Sequence, residues 1–111
     1  MTDAPPEARY ASLVSAFAGV EGVTEGSERP GRPFGSNGLK VNHRLFAMLV
    51  RGRLVVKLPR ERVAELVAAG EGKRYDPRSD GRLMQEWLNL SPDSSLEWVA
   101  LAQEALDFVR G

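Results

Sequence analysis

The chain has no cysteine and a single histidine, His43. That excludes disulfides, thiol nucleophiles, Cys-ligated zinc or iron–sulfur centres, and any multi-histidine metal site. No apolar run approaches the roughly 20 residues of a membrane span. The opening Met1-Thr2-Asp3-Ala4-Pro5-Pro6-Glu7 has neither the basic flank nor the apolar stretch of a signal peptide. A cytoplasmic protein without metal, cofactor or membrane partner is expected. Lysine is also scarce, three against twelve arginines in an Ala-, Gly- and Val-rich background, which fits a GC-rich bacterial genome. Of the 111 residues 42% are apolar, enough for one small globular domain spanning 1–111, with 1–6 expected as a flexible N-terminus.

Net charge is zero, 15 basic against 15 acidic residues, but the signs are segregated along the chain. Residues 1–28 hold one base, Arg9, against five acids, and residues 83–111 hold one base, Arg110, against five acids. Between Arg29 and Arg62 nine bases face one acid, Glu61. The middle of the chain is a cationic segment between two acidic ends.

Tyr10, Leu13, Val14 and Phe17 recur at helical spacing and predict an N-terminal helix ended by Gly19 and Gly22. A short strand around Val23 and a Pro/Gly-rich loop over 25–33 follow. Residues 38–58 are rich in β-branched and apolar types and broken at Asn42-His43 and Arg51-Gly52, which predicts a three-stranded antiparallel meander. Uninterrupted alternation would put Leu39, Val41, Arg44, Phe46, Met48, Val50, Arg53, Val55 and Lys57 on one face, with an apolar centre and a cationic perimeter. Leu45, Ala47, Leu49, Leu54, Val56 and Leu58, with Lys40 at the edge, would form a second, core-facing side. Pro59 opens a middle helix carrying Val63, Leu66 and Val67 and stopped by Gly70. Residues 70–82 read as a polar loop, 83–90 as a further strand containing Trp87, and Ser91-Pro92, Ser94 or Ser95 as the cap of a last helix. Trp98, Leu101, Ala102, Ala105, Phe108 and Val109 fall on one side of that helix. The fold class is α+β, an antiparallel sheet of a meander plus one or two strands, packed with an N-terminal, a middle and a C-terminal helix.

The segments Arg32-Pro-Phe-Gly-Ser-Asn-Gly-Leu-Lys-Val41, Phe46-Ala-Met-Leu49, Leu54-Val-Val-Lys-Leu-Pro59 and Met84-Gln-Glu-Trp-Leu88, in that order, resemble the YjbR/MmcQ-like and TfoX N-terminal-domain group. The resemblance runs from Tyr10 to Val109. It implies a small α+β domain similar to the double-wing domain of the phage transcription factor MotA, and nucleic acid as a candidate ligand. Where TfoX-type sequences place paired glycines after the aromatic, this chain has Phe34-Gly35-Ser36-Asn37-Gly38, so a competence-regulator role does not carry over.

The candidate binding residues are the cations of the middle segment: Lys40, Arg44, Arg51, Arg53, Lys57, Arg60 and Arg62. Several clustered bases can neutralise nucleic-acid phosphates; the same bases can instead pair with the acidic ends, in one chain or across a dimer. Phe46 and Trp87 are the candidate contact aromatics, and a homodimer formed on the mixed face is the alternative to DNA or another anionic partner. The glycines at 35 and 38 precede a strand rather than a helix, so they read as turn chemistry and not as a phosphate loop. His43 reads as a turn residue and Glu86 as a strand-edge carboxylate, and no nucleophile motif accompanies them, so no catalytic residue is assigned.

Overall fold

The computed structural model describes residues 5–25, 38–42, 44–76 and 84–111. Arg29, Arg32, residues 34–37, His43 and Asp80-Gly81 lie outside that set. In chain order the elements are α1 (Pro6–Ala16), β1 (Val23–Glu25), β2 (Leu39–Val41), β3 (Arg44–Val50), β4 (Arg53–Lys57), α2 (Arg60–Ala68), β5 (Gly72–Tyr75), β6 (Met84–Leu90) and α3 (Trp98–Arg110). The strands form one sheet in the order β1-β2-β3-β4-β6-β5, with every neighbouring pair antiparallel. This is the expected α+β class.

The three helices cover one face. Tyr10, Leu13 and Phe17 from α1, Val63 and Leu66 from α2, and Trp98, Leu101, Ala102, Ala105 and Leu106 from α3 share a core with Leu39, Val41, Leu54, Val56, Leu58, Leu88 and Leu90 of the sheet. The helical stripes follow the i, i+3, i+4 spacing that puts side chains on one side. Phe108, expected in that stripe, is 36% exposed, and Leu106 takes its place. Pro6, expected in a flexible N-terminus, is the first residue of α1, where its fixed φ and missing N–H cost nothing.

Local chemistry sets the ends. Gly70 has φ +81°, the Gly70 amide donates to the Val67 carbonyl and the Glu71 amide to that of Leu66, a Schellman ending of α2. The β3–β4 hairpin turns through Arg51 and Gly52, both at positive φ, as its two-residue loop requires. The cap of α3 differs from expectation. Its N-cap is Glu97, and the serines act earlier, Ser91 Oγ accepting from the Asp93 amide and Ser94 Oγ from the Leu96 amide at 3.2 Å each.

Two differences from the expected sheet matter. The polar loop after α2 contains β5, whose Gly-Lys-Arg-Tyr sequence has no apolar alternation because it is an edge strand, bonded to β6 alone. More consequentially, β2 and β3 change register: Lys40 pairs with Leu45 but Leu39 with Ala47, leaving Phe46 as an extra residue. A bulge lets two successive side chains point the same way, and both Phe46 and Ala47 are fully buried in the core. Phe46 meets Phe17 edge to face, centroids 5.9 Å apart and planes at 74°. The expected mixed face is thereby split. Leu39, Val41, Arg44 and Phe46 belong to the helix side, while Met48, Val50, Arg53, Val55 and Lys57 remain opposite and are joined there by Lys40 and Leu45.

The bulge makes a test by truncation. Phe46→Ala should cost about 3–5 kcal/mol of unfolding free energy in urea, the large-to-small penalty of a filled core site, and Leu45→Ala less than about 2 kcal/mol. Uninterrupted alternation predicts the reverse order.

Candidate functional site: the helix-free face of the sheet

The side of the sheet away from the helices is built in cross-strand rows. Met48, Val55, Asn89 and Lys73 are successive partners across β3, β4, β6 and β5. Lys57 pairs with Trp87, Val50 with Arg53, and Lys40 with Thr24 on one side and Leu45 on the other. Val55 is fully buried yet belongs to no helix-side cluster. Trp87 is half-buried, and Lys57 Nζ lies 5.8 Å from its ring centroid, within reach of a cation–π contact.

Four cations, Lys40, Arg53, Lys57 and Lys73, therefore share this face. Among the described residues one ion pair reaches it, Glu86 Oε1 at 4.0 Å from Lys57 Nζ, with both side chains well exposed. So open a pair holds neither group firmly. Asn89 Oδ1 is buried and has no hydrogen-bond partner, an acceptor left unsatisfied on this face.

The nine candidates separate. Lys40, Arg53, Lys57 and Trp87 are brought together here. Phe46 is not a contact aromatic, since the bulge turns it into the core. Arg44 takes the register side of Val41, yet it is exposed and lines one depression with Lys57 and Trp87. Arg51 sits in the β3–β4 turn, and Arg60 begins α2, outside the sheet. Arg62 is spent internally. Its Nε and Nη2 donate to the two carboxylate oxygens of Glu104 at 2.9 and 3.2 Å, and its Nη1 to Glu65. Hydrogen bonds to Glu104, then to Glu65, raise its pKa above the ordinary guanidinium value, so it stays charged and compensated. Lys73 and Asn89 were missed by sequence reasoning. Once β6 is read as a strand, the two-residue alternation from Trp87 locates Asn89, but nothing in the polar run before it marks Lys73.

A depression of about 380 Å³ at the C-terminal end of α3 is lined by Arg44, Lys57, Glu86, Trp87 and Phe108 among others. Among the described residues its one carboxylate is that of Glu86, beside the Lys57 ammonium, and it has no Ser, Thr, Cys or His in its lining. Among the described residues no three His, Cys, Asp or Glu stand close enough to hold a metal ion, and no helix is long and apolar enough to cross a membrane.

Arg62→Gln should lower stability by about 0.5–1 kcal/mol, because Glu104 and Glu65 then face each other without the bridging cation. Equilibrium urea unfolding measures the loss.

No family model matches the chain, and neither the curated proteins nor the solved structures contain one significantly similar to it.

Proposed function

We propose that this is a non-enzymatic, cytoplasmic binding domain that takes single-stranded nucleic acid on the helix-free face of its sheet. The observation that carries the reading is the company Trp87 keeps. A half-buried indole stands beside Lys57 on a face with three further cations and, among the described residues, a single exposed carboxylate contact. Single strands are held in this manner elsewhere, by bases stacking on aromatic rings above a sheet while cations track the phosphates. A shallow, six-stranded face suits an unpaired strand better than a duplex, since no helix or ribbon projects from it toward a major groove among the described residues. The resemblance of the 32–59 and 84–88 segments to the YjbR/MmcQ and TfoX N-terminal group supports the same choice of ligand, and membership of that group is part of the proposal.

A homodimer is the second reading, favoured by the partly exposed Leu45, Met48 and Val50 on the same face. It is the weaker one. A two-fold interface there would set Lys40, Arg53, Lys57 and Lys73 of two copies against one another, and like charges across an interface oppose association.

Anisotropy titration of a labelled oligothymidylate at low and physiological salt tests the proposal. Binding should weaken steeply with salt, and Lys57→Gln combined with Lys73→Gln should reduce the logarithmic salt slope by about one to two while leaving thermal stability unchanged. Trp87→Ala should weaken binding by about 1–3 kcal/mol, the typical worth of one stacked base. No binding at about 100 μM protein in low salt would overturn the reading.

A further inference from the structure

A separate cleft of about 710 Å³ opens beside the β3–β4 turn, between the start of α1 and the 91–95 loop. Its floor is apolar, made by Leu54, Leu90 and Trp98, and two arginines line it, Arg9 from α1 and Arg53 from the start of β4, where the strand's helix-free side meets the cleft. The Arg9 guanidinium carbon lies 4.2 Å from the Trp98 ring centroid, a stacked arrangement that fixes the group while leaving its N–H donors to the cleft. Neither Arg9 nor Arg53 has a carboxylate within ion-pair distance among the described residues. Two uncompensated arginines lining one cavity are a reason to look for an anion.

The facing wall is stiff. The Ser91 amide donates to the Glu71 carbonyl at 2.8 Å, Ser94 Oγ donates to Glu71 Oε1 at 2.6 Å, and the Ser94 amide donates to the Ser91 carbonyl at 3.1 Å. Opposite, a Cβ placed on Gly52 would lie 3.6 Å from the Pro6 ring, so the turn before Arg53 runs beside the start of α1. Asp93 also lines the cleft, exposed. Its carboxylate repels a second anionic group and accepts hydrogen bonds from hydroxyl or amino groups. The volume lies within the range of small-molecule sites, roughly 300–1,000 Å³.

We infer that this cleft binds an organic phosphate ester of about nucleotide size, its single phosphate between Arg9 and Arg53 and its hydroxylated or amino-bearing body over the Leu54–Leu90–Trp98 floor toward Asp93. Arginine pairs suit phosphate because each planar fork offers paired donors. The inference does not rest on the sheet-face reading, with which it shares only Arg53. The phosphate has two sources, a free nucleotide or a residue of a nucleic-acid strand.

Tryptophan fluorescence separates them. In Trp87→Phe, Trp98 is the sole tryptophan and the sheet face has lost its indole, so failure there leaves the cleft measurable. Adenosine 5′-monophosphate, adenosine and a 5′-phosphorylated oligothymidylate are titrated against it at low salt. A saturable Trp98 response to the monophosphate, at least about tenfold weaker for adenosine and reduced at least about tenfold by Arg9→Gln or Arg53→Gln, supports a nucleotide site. The same arginine-dependent response to the oligonucleotide alone supports the cleft with a strand phosphate as the source. No saturable response to either phosphate ligand up to about 10 mM, or a response that both folded arginine variants leave intact, overturns the inference. Unfolding midpoints of the two variants establish that they are folded, and Arg53, at a half-exposed strand start, provides the test should Arg9→Gln disturb α1.

Discussion

The extra residue that β3 carries at Phe46 decides which half of the meander faces the helices. A strand alternates strictly, so one inserted residue exchanges the two sides of everything beyond it. Before the bulge Arg44 and Phe46 share the side of Val41; after it Met48 and Val50 take the other side, with Arg53, Val55 and Lys57 across from them. The core gains an aromatic that meets Phe17, and the open face gains Lys40 and Leu45. Core and candidate site are thus two consequences of the same backbone irregularity.

The segregated charge is only partly cancelled in space. Glu104 from the acidic C-terminal segment reaches back to Arg62, and Glu86 approaches Lys57, so two cations of the basic middle do find partners from that end. Arg53 and Lys40 find none among the described residues, and neither does Arg9, the lone base of the acidic N-terminal segment. Of the cations without an ion pair among the described residues, Lys40, Arg53 and Lys73 belong to the helix-free face and Arg9 lines the cleft beside the β3–β4 turn, while Arg51 and Arg60 lie in neither place. A net charge of zero therefore says little about local fields.

Helix periodicity and turn chemistry made much of the architecture legible from sequence. The Tyr10–Phe17 stripe, the Arg51-Gly52 turn and the Gly70 stop each declare themselves by residue type and spacing. The bulge does not, because residues 45–50 are a continuous apolar run in which either register satisfies a hydrophobic pattern. β5 is hidden for the opposite reason: Gly-Lys-Arg-Tyr buries little, and its pairing with β6 is a matter of backbone bonds. In the candidate site Lys57 and Trp87 were legible because they flank core strand positions. Lys73 was obscured with β5, and the neutralisation of Arg62 depends on a carboxylate 42 residues away. Arg9 stood out in the sequence only as the one base of its segment, and its place over Trp98 depends on α1 meeting α3.

The most direct test is a proton–nitrogen correlation spectrum of labelled protein titrated with oligothymidylate at low salt. The two indole N–H resonances lie on opposite sides of the sheet, Trp87 on the open face and Trp98 in the helix-side core. The account predicts that the Trp87 indole shifts in a saturable, salt-sensitive manner together with the amides of Lys57, Lys73 and Asn89. A Trp87 resonance that stays in place while the spectrum shifts elsewhere, or a spectrum that does not change, would contradict it.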